Sequence, residues 1–158
     1  MTETSAVARL STQAPVASWR VWADVTQRWL ALLGFLASLL DGFYGAQGFV
    51  NLISEVGDPA LVFVPHVIVG QILYGVAALL FVLGLIAGSG WKAWVMPLVL
   101  FALLFLVQGL ISAMDHRLHA LVHGLTGILI MVGFGYLFGN RLRHPLSARV
   151  RGPGGNRV

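Results

Sequence analysis

Four long apolar runs alternate with short polar segments along the chain. They cover about residues 29–50, 61–87, 93–111 and 121–138, and each is close to the ~20 residues with which an α-helix crosses a bilayer. Because the connecting segments are short, neighbouring runs are expected to pack antiparallel. The pattern predicts an all-α membrane protein whose transmembrane domain, residues 16–139, is a four-span up-and-down bundle of two tandem helical hairpins.

The segments outside these runs have different patterns. Residues 1–15 show no apolar period and are predicted to be disordered. Residues 16–28 carry Trp19, Trp22 and further apolar residues at three- or four-residue spacing. This spacing predicts an amphipathic helix lying in the membrane interface or, alternatively, an N-terminal extension of the first span. Residues 140–158 are rich in Arg, Gly and Pro, and predict a basic, disordered tail.

Composition strengthens the membrane interpretation. The chain is 58% hydrophobic and 10% charged, with a mean hydropathy of +0.84, whereas a soluble domain has about 25% charged residues. Lipid is therefore the expected solvent. The sequence contains no cysteine, which excludes disulfides, thiolate metal sites and thiol nucleophiles. The high pI is explained by cations at helix ends, so nucleic acid is not an expected partner.

The distribution of positive charge predicts the topology. Nine of the ten lysines and arginines lie in the N-terminal segment, the turn between the second and third runs, or the tail; Arg117 is the other. By the positive-inside rule, both termini then face the cytoplasm of a bacterial-type plasma (inner) membrane. The two remaining loops would face outward, together with four of the five histidines.

A repeated histidine motif suggests a cofactor site. His66 precedes Gly70 and His123 precedes Gly127, each pair at the outer end of a span. Spans two and four would be parallel and diagonal, so two imidazoles at similar depth are suited to share one haem iron. A glycine one turn deeper would leave room for the flat macrocycle. Alternatively, both histidines are interfacial residues hydrogen-bonded to loop carbonyls or water.

At these histidines the chain resembles small four-helix membrane b-type cytochromes of the cytochrome b561-like group. The resemblance covers the four spans, and it implies that His66 and His123 hold haem b for electron transfer. The inner ends of the spans lack a second pair of histidines, so at most one haem is expected. The four-helix architecture also looks like that of DoxX-like small membrane proteins.

A second candidate site overlaps the first. Asp115, His116, His119 and His123 follow one another at helical spacing, and imidazoles with a carboxylate suit zinc or copper. A Cu/Zn site at the outer face is therefore the alternative chemistry, and His119 is an alternative haem ligand. The simpler interpretation is a polar helix start with Asp115 as its N-cap.

Asp41 lies inside the first apolar run, where a carboxylate is costly and normally faces the bundle interior. Tyr44 shares its helix face, and Gln71 and Tyr74 of the second run are expected in the same polar interior. These four residues suggest a proton relay or a contact to a quinone head group. The alternatives for Asp41 are a hydrogen-bonded packing residue and a contact to a partner subunit.

Together these patterns predict a haem b electron-transfer subunit that links a quinone pool to a redox partner at the outer face, within a larger membrane complex. The alternatives are a non-catalytic accessory subunit and a protein with the outer-face Cu/Zn site. No phosphate-binding loop, nucleophile elbow or carboxylate pair is found in the sequence, so a subunit is a better interpretation than a stand-alone enzyme.

Overall fold

A computed structural model describes residues 16–107 and 116–146. The predicted disordered N-terminus, residues 108–115 and most of the predicted tail lie outside the described residues. Within them, all regular structure is helical, which confirms the predicted all-α class. The helices are α1 (Ser18–Ser54), α2 (Pro59–Ala87), α3 (Lys92–Ala102), which continues as a π-helical segment (Leu103–Val107), and α4 (His116–Arg143).

Three of these helices, α1, α2 and α4, are long and apolar enough to cross a membrane. The continuous helical segment Lys92–Val107 is apolar but shorter. Large apolar side chains also cover much of the outer surface, and the following are at least half exposed: Leu33, Leu36, Phe43, Ile72, Leu129 and Val132. Such a surface is stable in lipid and unstable in water, so the chain is a multi-pass membrane protein.

The helices pack in a cyclic order, since α1 contacts α2 and α4, and α3 contacts the same two helices. Their contacts run antiparallel. Gly48, late in α1, meets Phe63, early in α2, whereas Gln27, early in α1, meets Leu80, late in α2. We call the end that carries His66, His119 and His123 the histidine end. The opposite end, with Arg20, Lys92 and Arg141, is called the arginine end.

The core between the helices combines large and small residues. Phe134 is fully buried against α1, and a Cβ at Gly34 would lie 2.6 Å from its ring carbons. Glycine is therefore required for this close approach. The buried apolar cluster continues through Leu73, Leu80, Leu100, Ile130 and Leu137.

The predicted separate interfacial helix over residues 16–28 is wrong, because α1 is one continuous helix from Ser18 to Ser54. The alternative, an extension of the first span, describes it correctly. At 37 residues the helix is roughly 55 Å long, well beyond the bilayer core. Trp19 and Trp22 are exposed, whereas Asp24 and Gln27 are buried. The polar residues of this segment thus face the protein, and its tryptophans face outward.

Asp24 organises the arginine end. Its Oδ1 accepts hydrogen bonds from Arg141 Nη1 at 2.9 Å and from Ser89 Oγ at 3.2 Å, and its Oδ2 accepts one from the Leu146 backbone nitrogen at 3.0 Å. Arg141 and Leu146 are buried. The predicted disordered tail is therefore wrong for residues 140–146, which end α4 and pack onto α1. The rest of the tail lies outside the described residues.

Gln27 replaces a backbone hydrogen bond that Pro97 removes from α3. Pro97 lies inside this helix and has no N–H, so the carbonyl of Ala93, four residues earlier, loses its helical donor. Gln27 Nε2 donates to this carbonyl oxygen at 2.6 Å. The same nitrogen lies 2.9 Å from the Leu80 carbonyl oxygen of α2, so one buried amide joins three helices.

Candidate functional site

The candidate site lies at the histidine end, where three helices bring titratable side chains together. Asp41 comes from α1, His66 from α2, and His119 and His123 from α4. Since α2 and α4 have no direct backbone contact among the described residues, they are diagonal partners, and their imidazoles meet across the interior. This arrangement agrees with the predicted diagonal placement of His66 and His123.

Asp41 fixes the orientation of His66. The His66 Nδ1 donates a hydrogen bond to the Asp41 carbonyl oxygen at 3.1 Å and lies 2.9 Å from the carboxylate Oδ1. The carbonyl can only accept, so Nδ1 must carry the hydrogen, and in the neutral ring Nε2 is then the lone-pair nitrogen. A histidine whose second ring nitrogen is held by a backbone carbonyl or a carboxylate is typical of metal ligands in proteins.

The three imidazoles form a row. The ring centres of His66 and His123 are 5.5 Å apart, with an angle of 63° between the planes. His119 stacks on His123 with a centre distance of 5.7 Å and an angle of 29°. Including Asp41, four titratable groups therefore follow one another from inside α1 to the N-terminal part of α4.

Small residues on α1 make the close approach of α2 possible. A Cβ at Gly45 would lie 3.2 Å from His66 Cε1, and one at Gly48 would lie 2.9 Å from Phe63 Cε1. Phe63 also packs edge-on against His66, with ring centres 6.5 Å apart. The glycines of α1 thus form the surface on which the His66 ring lies, and they bring Asp41 within its reach.

No hydrogen bond joins Asp41 to its predicted polar neighbours Tyr44, Gln71 and Tyr74 in the described part of the chain. Gln71 lies on the exposed side of α2. Tyr74 packs edge-on against Phe105 of the π-helical segment, with ring centres 6.3 Å apart, and Tyr44 packs against Phe43. The partner of Asp41 is instead His66. Position along the hairpin does not predict this pairing, because Asp41 lies thirteen residues before the end of α1 and His66 only seven residues after the start of α2.

The space predicted beside Gly70 and Gly127 is open. A Cβ at Gly70 or at Gly127 would meet no atom within 4 Å. Gly70 is half-buried, whereas Gly127 lies on an exposed face of α4. Neither position is closed by a neighbouring helix in the described part of the chain.

The predicted Cu/Zn cluster is not assembled within the described residues. No group of three or more histidine, aspartate or glutamate side chains in residues 16–107 and 116–146 is arranged to hold a metal ion. Asp115 lies outside the described residues. His116 begins α4, but its side chain is also outside the described part. His119 and His123 are the two members of the cluster whose side chains are described.

Comparison of the chain with protein-family models, curated proteins and solved structures gives no match. The geometry of the histidine end is therefore the basis for the proposed function.

Proposed function

We propose that this chain is a membrane subunit that holds one haem b between His66 and His123 and passes electrons between a quinone and a partner protein. The observation that carries the proposal is the meeting of these two imidazoles from diagonal helices, 5.5 Å apart between ring centres. With metal–nitrogen bonds of roughly 2 Å, the two rings need only a small movement apart to hold one iron between them.

The residues around the pair fit such a cofactor. Asp41 holds the Nδ1 side of His66, which leaves the Nε2 side for an iron atom. Open space beside the half-buried Gly70 agrees with a flat group next to α2. When bound, haem would supply a one-electron iron couple. The chain's own part is to bind and orient the group and to keep water away from it.

The proposed topology follows from the charge pattern. The arginine end carries Arg20, Lys92 and Arg141, so it would face the cytoplasm, with four spans crossing the bilayer. A reporter fused after Val158 should then be cytoplasmic, and one inserted in the 55–58 connection should be external. The opposite pair of results would put the histidine end inside and place the electron partner in the cytoplasm.

A reduced-minus-oxidised absorption spectrum tests the haem proposal. Protein purified from cells with ample haem should show a low-spin b-type spectrum. His66→Ala and His123→Ala should each lose the haem or make it high-spin, because a six-coordinate iron needs both axial nitrogens.

The matched controls are His119→Ala and His144→Ala. Each removes one imidazole, from the neighbour of His123 and from the arginine end respectively, and each should keep the low-spin spectrum. A colourless wild-type protein would refute the proposal and favour the accessory-subunit alternative. Loss of haem in His119→Ala, but not in His123→Ala, would instead move the ligand role to His119.

A second candidate function is favoured by the contact of Asp41 with His66. A carboxylate and three imidazoles in a row, inside an apolar protein, are typical of proton paths through membranes. Asp41→Asn should then leave assembly intact but stop proton movement into proteoliposomes, followed with a pH-sensitive dye. Unchanged proton movement in Asp41→Asn, or none in the wild type, would exclude the relay. The absorption spectrum of the wild-type protein tests the haem proposal separately from this relay.

A further inference from the structure

A cleft of about 320 Å³ opens at the arginine end, away from the proposed haem site. It lies between the turn that joins α2 to α3 and the last turn of α4. Its lining is polar, basic and aromatic, and includes Ser89, Trp91, Lys92, Asn140, Arg141 and His144. Its volume is at the lower end of the range for small-ligand sites, which suits a compact polar group.

The walls of the cleft are fixed by hydrogen bonds from α1. Arg20 Nε donates to the Ala87 carbonyl oxygen at 3.0 Å, and Arg20 Nη2 donates to that of Gly88 at 3.1 Å. Asp24 accepts from Ser89 on one wall and from Arg141 on the other. Both walls are thus held in place before any ligand arrives, which lowers the entropy lost on binding.

The charge of the cleft favours an anion. Lys92 is exposed, and its Nζ lies 5.8 Å from the centre of the Trp91 ring. Asn140 adds an amide donor. The guanidinium of Arg141 is paired with the Asp24 carboxylate, so Lys92 supplies the net positive charge of the cleft. The carboxylate next to the cleft, Asp24, already accepts hydrogen bonds on both of its oxygens. Lysine and arginine with neutral donors are the usual partners of phosphate oxygens.

The position of the cleft relates it to the lipid surface. It opens where α2 ends at Ala87 and α3 begins at Lys92, and the indole of Trp91 at its rim is 62% exposed. Tryptophans at the ends of spans mark the head-group level of a bilayer. Basic pockets between spans at this level recognise anionic head groups.

We propose that this cleft binds the phosphate head group of an anionic glycerophospholipid such as phosphatidylglycerol. The proposal is independent of the haem site, since it uses none of the histidine-end residues. It also holds for either orientation of the chain in the membrane, because both leaflets present phosphates at this depth.

Native mass spectrometry of the detergent-solubilised full chain, titrated with phosphatidylglycerol or phosphatidylcholine, tests the proposal. Phosphatidylglycerol should bind more tightly. Lys92→Gln should weaken its binding roughly fivefold, the effect expected for one lysine near a lipid head group. Arg143→Gln is the matched control, because Arg143 is exposed at the same end but does not line the cleft. It should change the affinity less than twofold.

A second pair of variants places a carboxylate at each end of the protein. Asn140→Asp puts it in the cleft and should weaken phosphatidylglycerol binding more than Lys92→Gln does. Asn51→Asp makes the same change at the histidine end and should have no effect. Thermal melting of each variant checks that it is folded.

Three results would overturn the proposal. Equal losses in Lys92→Gln and Arg143→Gln would indicate diffuse attraction to a basic surface instead of a site. Equal affinity for phosphatidylcholine would show that the anionic head group is not recognised. Inorganic phosphate that displaces phosphatidylglycerol at equal concentration would identify free phosphate, and not lipid, as the ligand.

Discussion

Helix α1 carries two enclosed carboxylates, one at each end of the bundle, and their surroundings differ. Asp24 and Asp41 are seventeen residues apart, which is roughly 26 Å along a helix. The side chains of Asp24 and Arg141 are 5% and 4% exposed, whereas those of Asp41 and His66 are 19% and 18% exposed. Both carboxylates face a cationic or titratable group on another helix.

The partners separate the roles of the two carboxylates. Asp24 accepts three hydrogen bonds, one of them from a guanidinium that is always charged. The guanidinium cannot give up a proton, so this ion pair is structural. Asp41 lies beside an imidazole, and the well-aligned hydrogen bond of that ring goes to the Asp41 backbone oxygen. The carboxylate Oδ1 lies 2.9 Å from the same ring nitrogen, but the geometry of a hydrogen bond is met only for the backbone oxygen.

Removing the carboxylate should therefore cost much more at Asp24 than at Asp41. Asp24→Ala leaves the buried guanidinium of Arg141 without its counter-charge, and such a loss costs about 3–5 kcal/mol of unfolding free energy. Asp41→Ala removes a contact to an imidazole that can be neutral, so we expect about 1 kcal/mol. SDS titration in mixed micelles measures both unfolding free energies.

A paired substitution at the arginine end is the control. Asp24→Asn with Arg141→Met removes both charges; the amide oxygen can accept from the Leu146 nitrogen, and the amide nitrogen can donate to the Ser89 hydroxyl oxygen. It should be less destabilising than Asp24→Ala alone, because no buried charge is left unpaired. Equal losses of unfolding free energy in Asp24→Ala and Asp41→Ala would contradict a structural role for the arginine end and a chemical role for the histidine end.

The amide of Gln27 also stabilises the arginine end, and its removal should cause the next largest loss of unfolding free energy. Gln27→Leu leaves the Ala93 carbonyl without a donor, at about 1–3 kcal/mol for a buried acceptor. In a Pro97→Ala background the helix regains the missing N–H, so Gln27→Leu should cost distinctly less there. Thermal melting of the four proteins of this double-mutant cycle gives the coupling.

Gln71→Leu is the matched control, because it makes the same change at an exposed position of α2. It should be nearly neutral. A cost for Gln27→Leu that is the same with and without Pro97 would show that the amide does not compensate for the proline.

The errors of sequence-based prediction lie mainly at the arginine end. The spacing of Trp19 and Trp22 predicts a helix that lies in the membrane interface, with the polar residues between them facing water. In a lipid-facing helix the large apolar side chains turn outward, and the small and polar ones pack inside. Asp24 and Gln27 are therefore buried, and α1 is one long helix.

At the histidine end, sequence reasoning did better because the helix positions were well defined. Length and hydropathy predicted the three long helices, and the repeated motif singled out His66 and His123, which meet in the interior. The contact of Asp41 with His66 is not predicted by the sequence. Gln71 and Tyr74 were expected beside it, but the helix rotation that turns Gln71 outward is set by packing between helices, which a single sequence does not encode locally.

The smallest expected effect on stability comes from substituting two glycines of α1, and it gives the sharpest test of the histidine end. Alanine in place of a helical glycine stabilises by up to about 1 kcal/mol. At Gly42 a Cβ would meet nothing within 4 Å, so Gly42→Ala should show most of this gain. At Gly45 the Cβ would lie 3.2 Å from His66 Cε1 and 3.3 Å from Nδ1. Gly45→Ala should therefore show little or no gain in melting temperature.

The same substitution should displace His66 by a few tenths of an ångström from the Asp41 carbonyl, because the ring is the side of the contact that is able to move. The Nδ1 resonance of His66, measured by NMR with nitrogen-labelled histidine, should shift in Gly45→Ala and stay unchanged in Gly42→Ala. If haem is bound, its low-spin absorption should change in Gly45→Ala alone. Identical spectra and an equal gain of stability in both variants would show that the glycine surface of α1 does not position His66, and would remove the main support for Asp41 as the residue that orients it.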